Sequence, residues 1–586
     1  MHRHGFVFLI VIVLSSSLAG AAPFVFDDQW LELPATEVTV GGTLSLHTLG
    51  DPRTFNPLVS QETNIVVGMM MSAWYGAAAL AWWPPGELTP VPRAAESIER
   101  SADGLVFDVV LRQDMRWSDG SPITLADYLI AYELESNPET GGNLFAQWYV
   151  DGKPIIVEAT GPWSLRISLP GPDREALGRL SLTPLPDRIF GDAFRSGGAE
   201  AVNALWGVES DPRALLFSGA YRLASYVTGE RLVFERNPHF GEWNVDAIGR
   251  PLPYLDGITY SVMSADTALN LFLAGSLDEY SPRTLDEVGV VQAAVTRGEL
   301  DAVVREAVFP TTGYTFIAFN WNLASDPAKE RLFRDARFRR AMGHLMDREA
   351  VIDLAYSGSG FPLYGSVHPT LGEWLAPDLD VPTYDPEQAL ALLGELGFDR
   401  RGADGILVDD TGRRLSFRLV TNAENPQREQ IVQIFADTAR EVGVEVTTAS
   451  LAFPLLVDQL LSEGADRPFE AVVIGLTGGR SAWPFGLAVN LCDESLHLWN
   501  KSDACLDEVE RRIEELTLLG RRTLDDDAAR EIGFEIQRLE AEQQSLVYIA
   551  GPAYHHAAST AVQGYLRSDL IGPFDGLFLP VLMWRR

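Results

Sequence analysis

Lysine is nearly missing from this chain: Lys153, Lys329 and Lys501 are its only occurrences in 586 residues, so positive charge is carried almost wholly by arginine. Acidic residues outnumber basic ones, 81 Asp and Glu against 46 Lys and Arg, for a formal net charge of −35. A surface this acidic repels phosphate backbones and anionic lipid headgroups, which excludes nucleic acid and an anionic membrane face as partner classes. No block of like charge is long enough to form a tail. Cysteine is equally scarce. Cys492 and Cys505 are the only two, and with no Cys-x-x-Cys spacing a redox or zinc motif is excluded. The pair brackets DESLHLWNKSDA, and in an oxidising compartment it is expected as a disulfide rather than two free thiols. Closing so short a loop contributes on the order of 3 kcal/mol. Catalytic signatures are missing as well: there is no G-x-S-x-G elbow, phosphate-binding P-loop, dinucleotide G-x-G-x-x-G or H-E-x-x-H. His555 and His556 are adjacent, and neighbours on a strand point to opposite faces, so they do not chelate one metal. Neither a catalytic residue nor a metal or cofactor site is assigned.

Long apolar runs are also lacking. Residues 6–14 and 68–83 fall short of the roughly 20 residues that span a bilayer. The first run follows Arg3 and precedes Ala19-Gly20-Ala21, the three parts of an export signal, so residues 1–21 are expected to be removed and the rest to act outside the cytoplasmic membrane. The second, GMMMSAWYGAAALAWW, is stopped by Pro84-Pro85 and reads as a buried helix. A chain of this length exceeds one core and is expected to hold two or three domains.

Residues 91–133, VPRAAESIERSADGLVFDVVLRQDMRWSDGSPITLADYLIAYE, carry the densest pattern. Leu105, Phe107, Val109 and Leu111 alternate with Val106, Asp108 and Val110, a strand with one apolar face. Trp117-Ser118-Asp119-Gly120 is turn chemistry, and Thr124 with Asp127 forms a capping box for a helix over 125–134. Further on come Ser218-Gly219-Ala220-Tyr221-Arg222-Leu223, a strand over 231–235 and the turn Arg236-Asn237-Pro238. A helix over 267–273 ends at Gly275. Residues 314–320 form a strand, and residues 333–347 a helix with Phe338, Ala341, Met342 and Leu345 on one face. Between 385 and 475 the order is helix, strand, helix, strand, helix, strand, the pattern of right-handed crossovers and an open parallel sheet. Two acidic amphipathic helices follow, lined by Leu506, Val509, Ile513 and Leu516 and by Ile532, Ile536 and Leu539. A last strand covers 547–550.

Taken in order, these blocks resemble the peptide- and nickel-type solute-binding proteins, family 5, that feed ABC importers. The match covers residues 91–133, the G-x-Y-x-L and RNP pair, the helix ending at Gly275 with Asp278 after it, and the D-x-R-x-R-x-A helix from Asp335. The resemblance implies an α/β fold of the periplasmic-binding-protein-like type II class: two lobes, with an extra subdomain on the first. It divides the chain into a signal peptide over 1–21, first-lobe segments over 22–75 and 205–312, the extra subdomain over 76–204, the second lobe over 313–546 and a return to the first lobe over 547–586. The lobes close on a solute, a peptide or similar small molecule, and dock on a membrane permease as a monomer without a cofactor.

Closure hides the ligand from water, so each of its polar groups needs a partner. Candidate contacts are Trp74 and Tyr75, placed where the family carries a cleft-lining segment, and Asn320 and Trp321 at the lobe crossing. Others are Gly478 in the glycine-rich stretch 475–479, Arg480, and the flat Trp483. Peptide binders of this family often carry an acid in the loop after the strand over 469–474, to pair with the peptide's amino terminus. Here the loop reads GLTGGRSAWPFG with Arg480 and no carboxylate, and Asp493 and Glu494 are the nearest substitutes. The loop between the cysteines resembles a subgroup regarded as peptide binders. Two other classes stay open: an exported hydrolase, and a sensor or chaperone on the same fold.

Overall fold

The computed structural model describes residues 22–586 except 34–37, 60–64, 88, 141–144, 311–312, 478–486, 495, 503 and 568–576. The chain is an α/β protein of two lobes. The first is built on a four-stranded sheet in the order Tyr221–Val227, Arg231–Arg236, Gly257–Val262, Thr43–Thr48; the last pair is parallel and the others antiparallel. Beside it lies an antiparallel sheet of Ala95–Arg100, Val106–Leu111, Ser164–Ser168 and Ile156–Gly161. Phe107, Val109 and Leu111 are buried on one face of the second of these strands while Val110 is exposed, as the alternation predicts. Both sheets share a core with the C-terminal segment, from Phe26 to Trp584.

The second lobe is built on a five-stranded sheet in the order Glu445–Leu451, Ser416–Asn422, Ala471–Thr477, Gly313–Phe319, Leu546–Tyr548. The first three strands are parallel to one another, as the crossovers predict. Gly313–Phe319 is antiparallel to both of its neighbours, so the sheet is mixed rather than wholly parallel. The difference arises because Gly313–Phe319 enters from the other lobe and Leu546–Tyr548 leaves towards it, instead of joining through local crossovers. Ala302–Pro310 precedes Gly313–Phe319, and Leu546–Tyr548 precedes Ala550–Ser559. Outside the second sheet, Ala302–Pro310 and Ala550–Ser559 pair antiparallel. Inside it, Gly313–Phe319 and Leu546–Tyr548 do the same. The lobes are thus joined by two strand connections lying side by side.

Two helix expectations differ from the structure. Residues 68–83 are not one helix: Ile65–Met71 is helical, a 3-10 turn covers Ala73–Tyr75, Gly76 takes φ +88°, and Ala81–Trp82 is extended. The reason is a buried cation. Arg93 is wholly buried among Phe24, Phe26 and Trp243, with its guanidinium carbon 5.2–5.3 Å from each ring. It donates to the carbonyls of Ala73 (3.1 Å) and Gly76 (2.7 Å), while Tyr128 donates to that of Ala78 (2.6 Å). Those carbonyls are available only because the backbone has left the helix. Residues 333–347 likewise hold a break. Pro327–Arg334 ends at Asp335, whose carboxylate caps the backbone N–H of Arg337 (3.0 Å) and starts Ala336–Leu345. The box at Thr124 forms as expected, with its N–H donating to Asp127 (2.7 Å).

Candidate ligand cleft

Ligands of open α/β sheets lie beyond the carboxyl ends of the parallel strands. In the second lobe that edge holds Asn422 and residues 475–477. Because Gly313–Phe319 runs the other way, its first residues lie there too: Gly313 pairs with Thr477 and Tyr314 with Leu476. Tyr548 ends its strand at the same edge, its ring centroid 6.2 Å from that of Tyr314. Arg428, in the first turn of Pro426–Glu441, donates to the side chain of Asn422 (2.9 Å).

A narrow cavity with room for about one water-sized group opens beside Tyr548, lined also by Asn490, His497, Trp499, Glu510 and Glu540. Its two carboxylates are treated differently. Burial alone would raise Glu510, but bonds from His497 (2.9 Å), Trp499 (2.6 Å) and the Leu506 N–H (2.6 Å) hold it below the usual carboxylate range. Among the described residues Glu540 accepts from Ser366 alone, at 2.6 Å from the hydroxyl, and burial pushes it up to about 7. Among the described residues no cation pairs with Glu540. His497 and Trp499 reach the cavity from the loop closed by the Cys492–Cys505 disulfide, whose Cα atoms are 5.2 Å apart. Cys492 lies within 4.8 Å of His497 and Glu510, and both cysteines within 4.8 Å of Glu514, but bonded to each other they offer no thiolate to a metal. His555 bonds Ser359 (2.7 Å) and His556 faces Glu279 (3.8 Å), so the two diverge.

The expected contacts are placed as follows. Asn320 has no exposed surface. Its amide donates to the carbonyl of Phe469 (2.7 Å) and accepts from the N–H of Asn322 (2.9 Å), which uses it inside the second lobe. Trp321 is also fully buried, under the guanidinium of Arg339 at 4.5 Å. Both sit in the interior of the second lobe, just past the end of the strand Gly313–Phe319. Trp74 and Tyr75 are half-buried against the first core; the Trp74 indole donates to the Phe578 carbonyl (2.8 Å) and Tyr75 meets the hydroxyl of Tyr260 (3.5 Å). Asp493 is exposed on the disulfide loop. Gly478, Arg480 and Trp483 lie outside the described residues. Glu540, Tyr548 and Ser366 are not among the residues singled out in the sequence. For Glu540 a signal existed: it follows Ile532 and Ile536 at spacings of four, an acid on the apolar stripe of its helix.

The lobes also meet through Asp173, beside first-core residues Ala176 and Leu180, and Arg521 at the end of Glu508–Arg522, which bond twice, at 2.9 and 2.8 Å.

Two lobes joined by two adjacent strand connections give the chain a bilobed α/β architecture. The model for bacterial extracellular solute-binding proteins, family 5 Middle, matches residues 89–493, and the chain belongs to that family. It is 35% identical over 589 residues to a probable ABC transporter-binding protein of Deinococcus radiodurans, covering 97% of this chain and 98% of that one. Its fold is similar to that of AppA from Bacillus subtilis in complex with a nonapeptide (TM-score 0.74, 24% identity, 94% of this chain and 100% of that chain). It is also similar to MelB from Agrobacterium fabrum in complex with stachyose (TM-score 0.77, 16% identity, 96% and 87%). These relatives are named as binding proteins.

Proposed function

We propose that this chain is the substrate-binding component of an ABC importer. It captures a peptide or similar small solute by lobe closure, releases it unaltered to a membrane permease, and performs no covalent chemistry. It works outside the cytoplasmic membrane as a monomer, after loss of residues 1–21, with the segment boundaries given by the resemblance. The observation that carries the reading is the pair of adjacent strand connections, which leaves the lobes free to rotate about one line. The relative in Deinococcus radiodurans, named for ABC transport, supports the importer role. A nonapeptide in one structural neighbour and stachyose in another support a small polar solute without choosing between them.

Glu540 and Tyr548, which line the narrow cavity of the second lobe, are assigned to the solute site, and Gly478, Arg480 and Trp483 stay candidates from the sequence. Binding is a population shift, since the ligand stabilises the closed form by the contacts that only that form makes. Native mass spectrometry of protein purified without denaturation tests the proposal. A bound solute whose mass stays constant on prolonged incubation is the expected result. Conversion of that solute into a new species would make the chain an enzyme.

A further inference from the structure

The contact at Asp173 is unlike an ordinary surface ion pair. Its side chain has no exposed surface, and those of Arg521 and Arg179 are 4% and 3% exposed. Arg521 approaches the carboxylate with two parallel N–H bonds, and Arg179 adds a third at 3.3 Å. Burial alone would raise Asp173, yet the two guanidinium partners hold it below the usual carboxylate range. Arg174, next in sequence, extends the contact. Its N–H donates to the Arg521 carbonyl (2.8 Å), its guanidinium donates to the carbonyl of Thr523 (2.8 Å), and it stacks 5.4 Å from the ring of Trp374. At the margin Arg522 pairs with Asp151 at 3.1 Å, with both side chains more than a third exposed.

The two sides belong to different bodies. Residues 173–183 are fixed to the first lobe: Ala176 and Leu180 lie in its core, the Leu182 carbonyl accepts from Leu80 (3.1 Å), and Thr183 donates to the Met71 carbonyl (3.0 Å). The helix Glu508–Arg522 is fixed to the second through Glu510, which holds His497 and Trp499, and through Thr517, which bonds Asn490 (3.2 Å). The strand connections lie elsewhere in the chain, at residues 310–313 and 548–550. A lobe separation that moves residues 173–183 away from Glu508–Arg522 breaks the Asp173–Arg521 bond.

Such a separation has a specific cost. A bidentate, desolvated pair is strong while intact, and breaking it leaves charges to be resolvated one at a time. A contact made only in the closed form biases the equilibrium towards that form before any ligand is counted. We infer that the Asp173–Arg521 bond, steadied by Arg179, is a latch that sets the resting balance between open and closed lobes. Asp173 is thus a positioning residue for solute capture. This rests on the lobe-closure reading above.

The test measures interlobe distance without ligand. Spin labels are placed at Val227→Cys on the first lobe and Leu455→Cys on the second, both at exposed positions, in the otherwise unaltered full chain. Pulsed electron resonance is then recorded for the parent, Asp173→Asn and Arg521→Lys. The expected result is a parent distribution with a dominant short distance, a fall of at least tenfold in the ratio of short to long for Asp173→Asn, and a smaller fall for Arg521→Lys, which keeps the charge and loses the fork. Asp151→Asn, at the exposed margin, is expected to leave the distribution unchanged. A lowered melting temperature with unaltered distances in both latch variants would make the contact a static strut and overturn the latch. A single distance in every variant that also fails to shorten when co-purified solute is retained would instead remove the closure reading.

Discussion

Glu135 and Glu540 are both pushed up to about 7, in each case chiefly by burial. Glu135 accepts one bond, from the Trp148 indole at 3.1 Å, and feels Arg179 nearby. The native chain holds these protons more tightly than the unfolded chain, whose glutamates titrate near 4.5. The native state therefore binds more protons between pH 4.5 and about 7, and stability falls as pH rises through that window. Replacing Glu135 by Gln is expected to make the fall shallower by roughly 2 kcal/mol, read from urea unfolding at pH 4.5 and pH 8. An unchanged slope would place the carboxylate in contact with water. Arg93 gives the opposite case, because its charge is used. Arg93→Met keeps the bulk and strands the carbonyls of Ala73 and Gly76, with an expected loss of about 3 kcal/mol in thermal or urea unfolding. Neither residue stands out in the sequence, since an Arg between Pro92 and Ala94 gives no sign of the aromatic cage that closes on it.

Elements with their own punctuation were legible. The capping box at Thr124 and the alternation over 105–111 both appear where the residues place them, because each is a local preference met locally. Residues 68–83 were not. Apolar composition foretells burial and leaves the backbone path to whichever distant side chains claim its carbonyls, here Arg93 and Tyr128. The candidate site shows the same division. The edge formed by residues 475–477 followed from the crossover pattern, whereas Glu540 and Tyr548 join it only through strands and helices that meet in space. The loop closed by Cys492 and Cys505 presents His497 and Trp499 to Glu510. Replacing both cysteines with Ser is expected to lower stability by about 3 kcal/mol through loop entropy alone. Chemical denaturation of that variant beside the parent measures it. A loss near zero would show that the buried Glu510 bonds hold the loop without the covalent link.

At the scale of the molecule, the two-lobed outline was available from the order of family-like blocks, while the contacts between lobes were not. Asp173 and Arg521 stand 348 residues apart, and nothing in the sequence near either announces the other. The paired strand connections and the buried Asp173–Arg521 contact fit the working cycle proposed above, in which closure over a solute is reversible and leaves the solute whole. Small-angle scattering gives the most direct test of that cycle. Protein stripped of solute by reversible unfolding is compared with the same protein after its co-purified solute is returned. The account predicts a smaller radius of gyration on return, with the solute recovered at its original mass. An identical scattering profile in both states would contradict it.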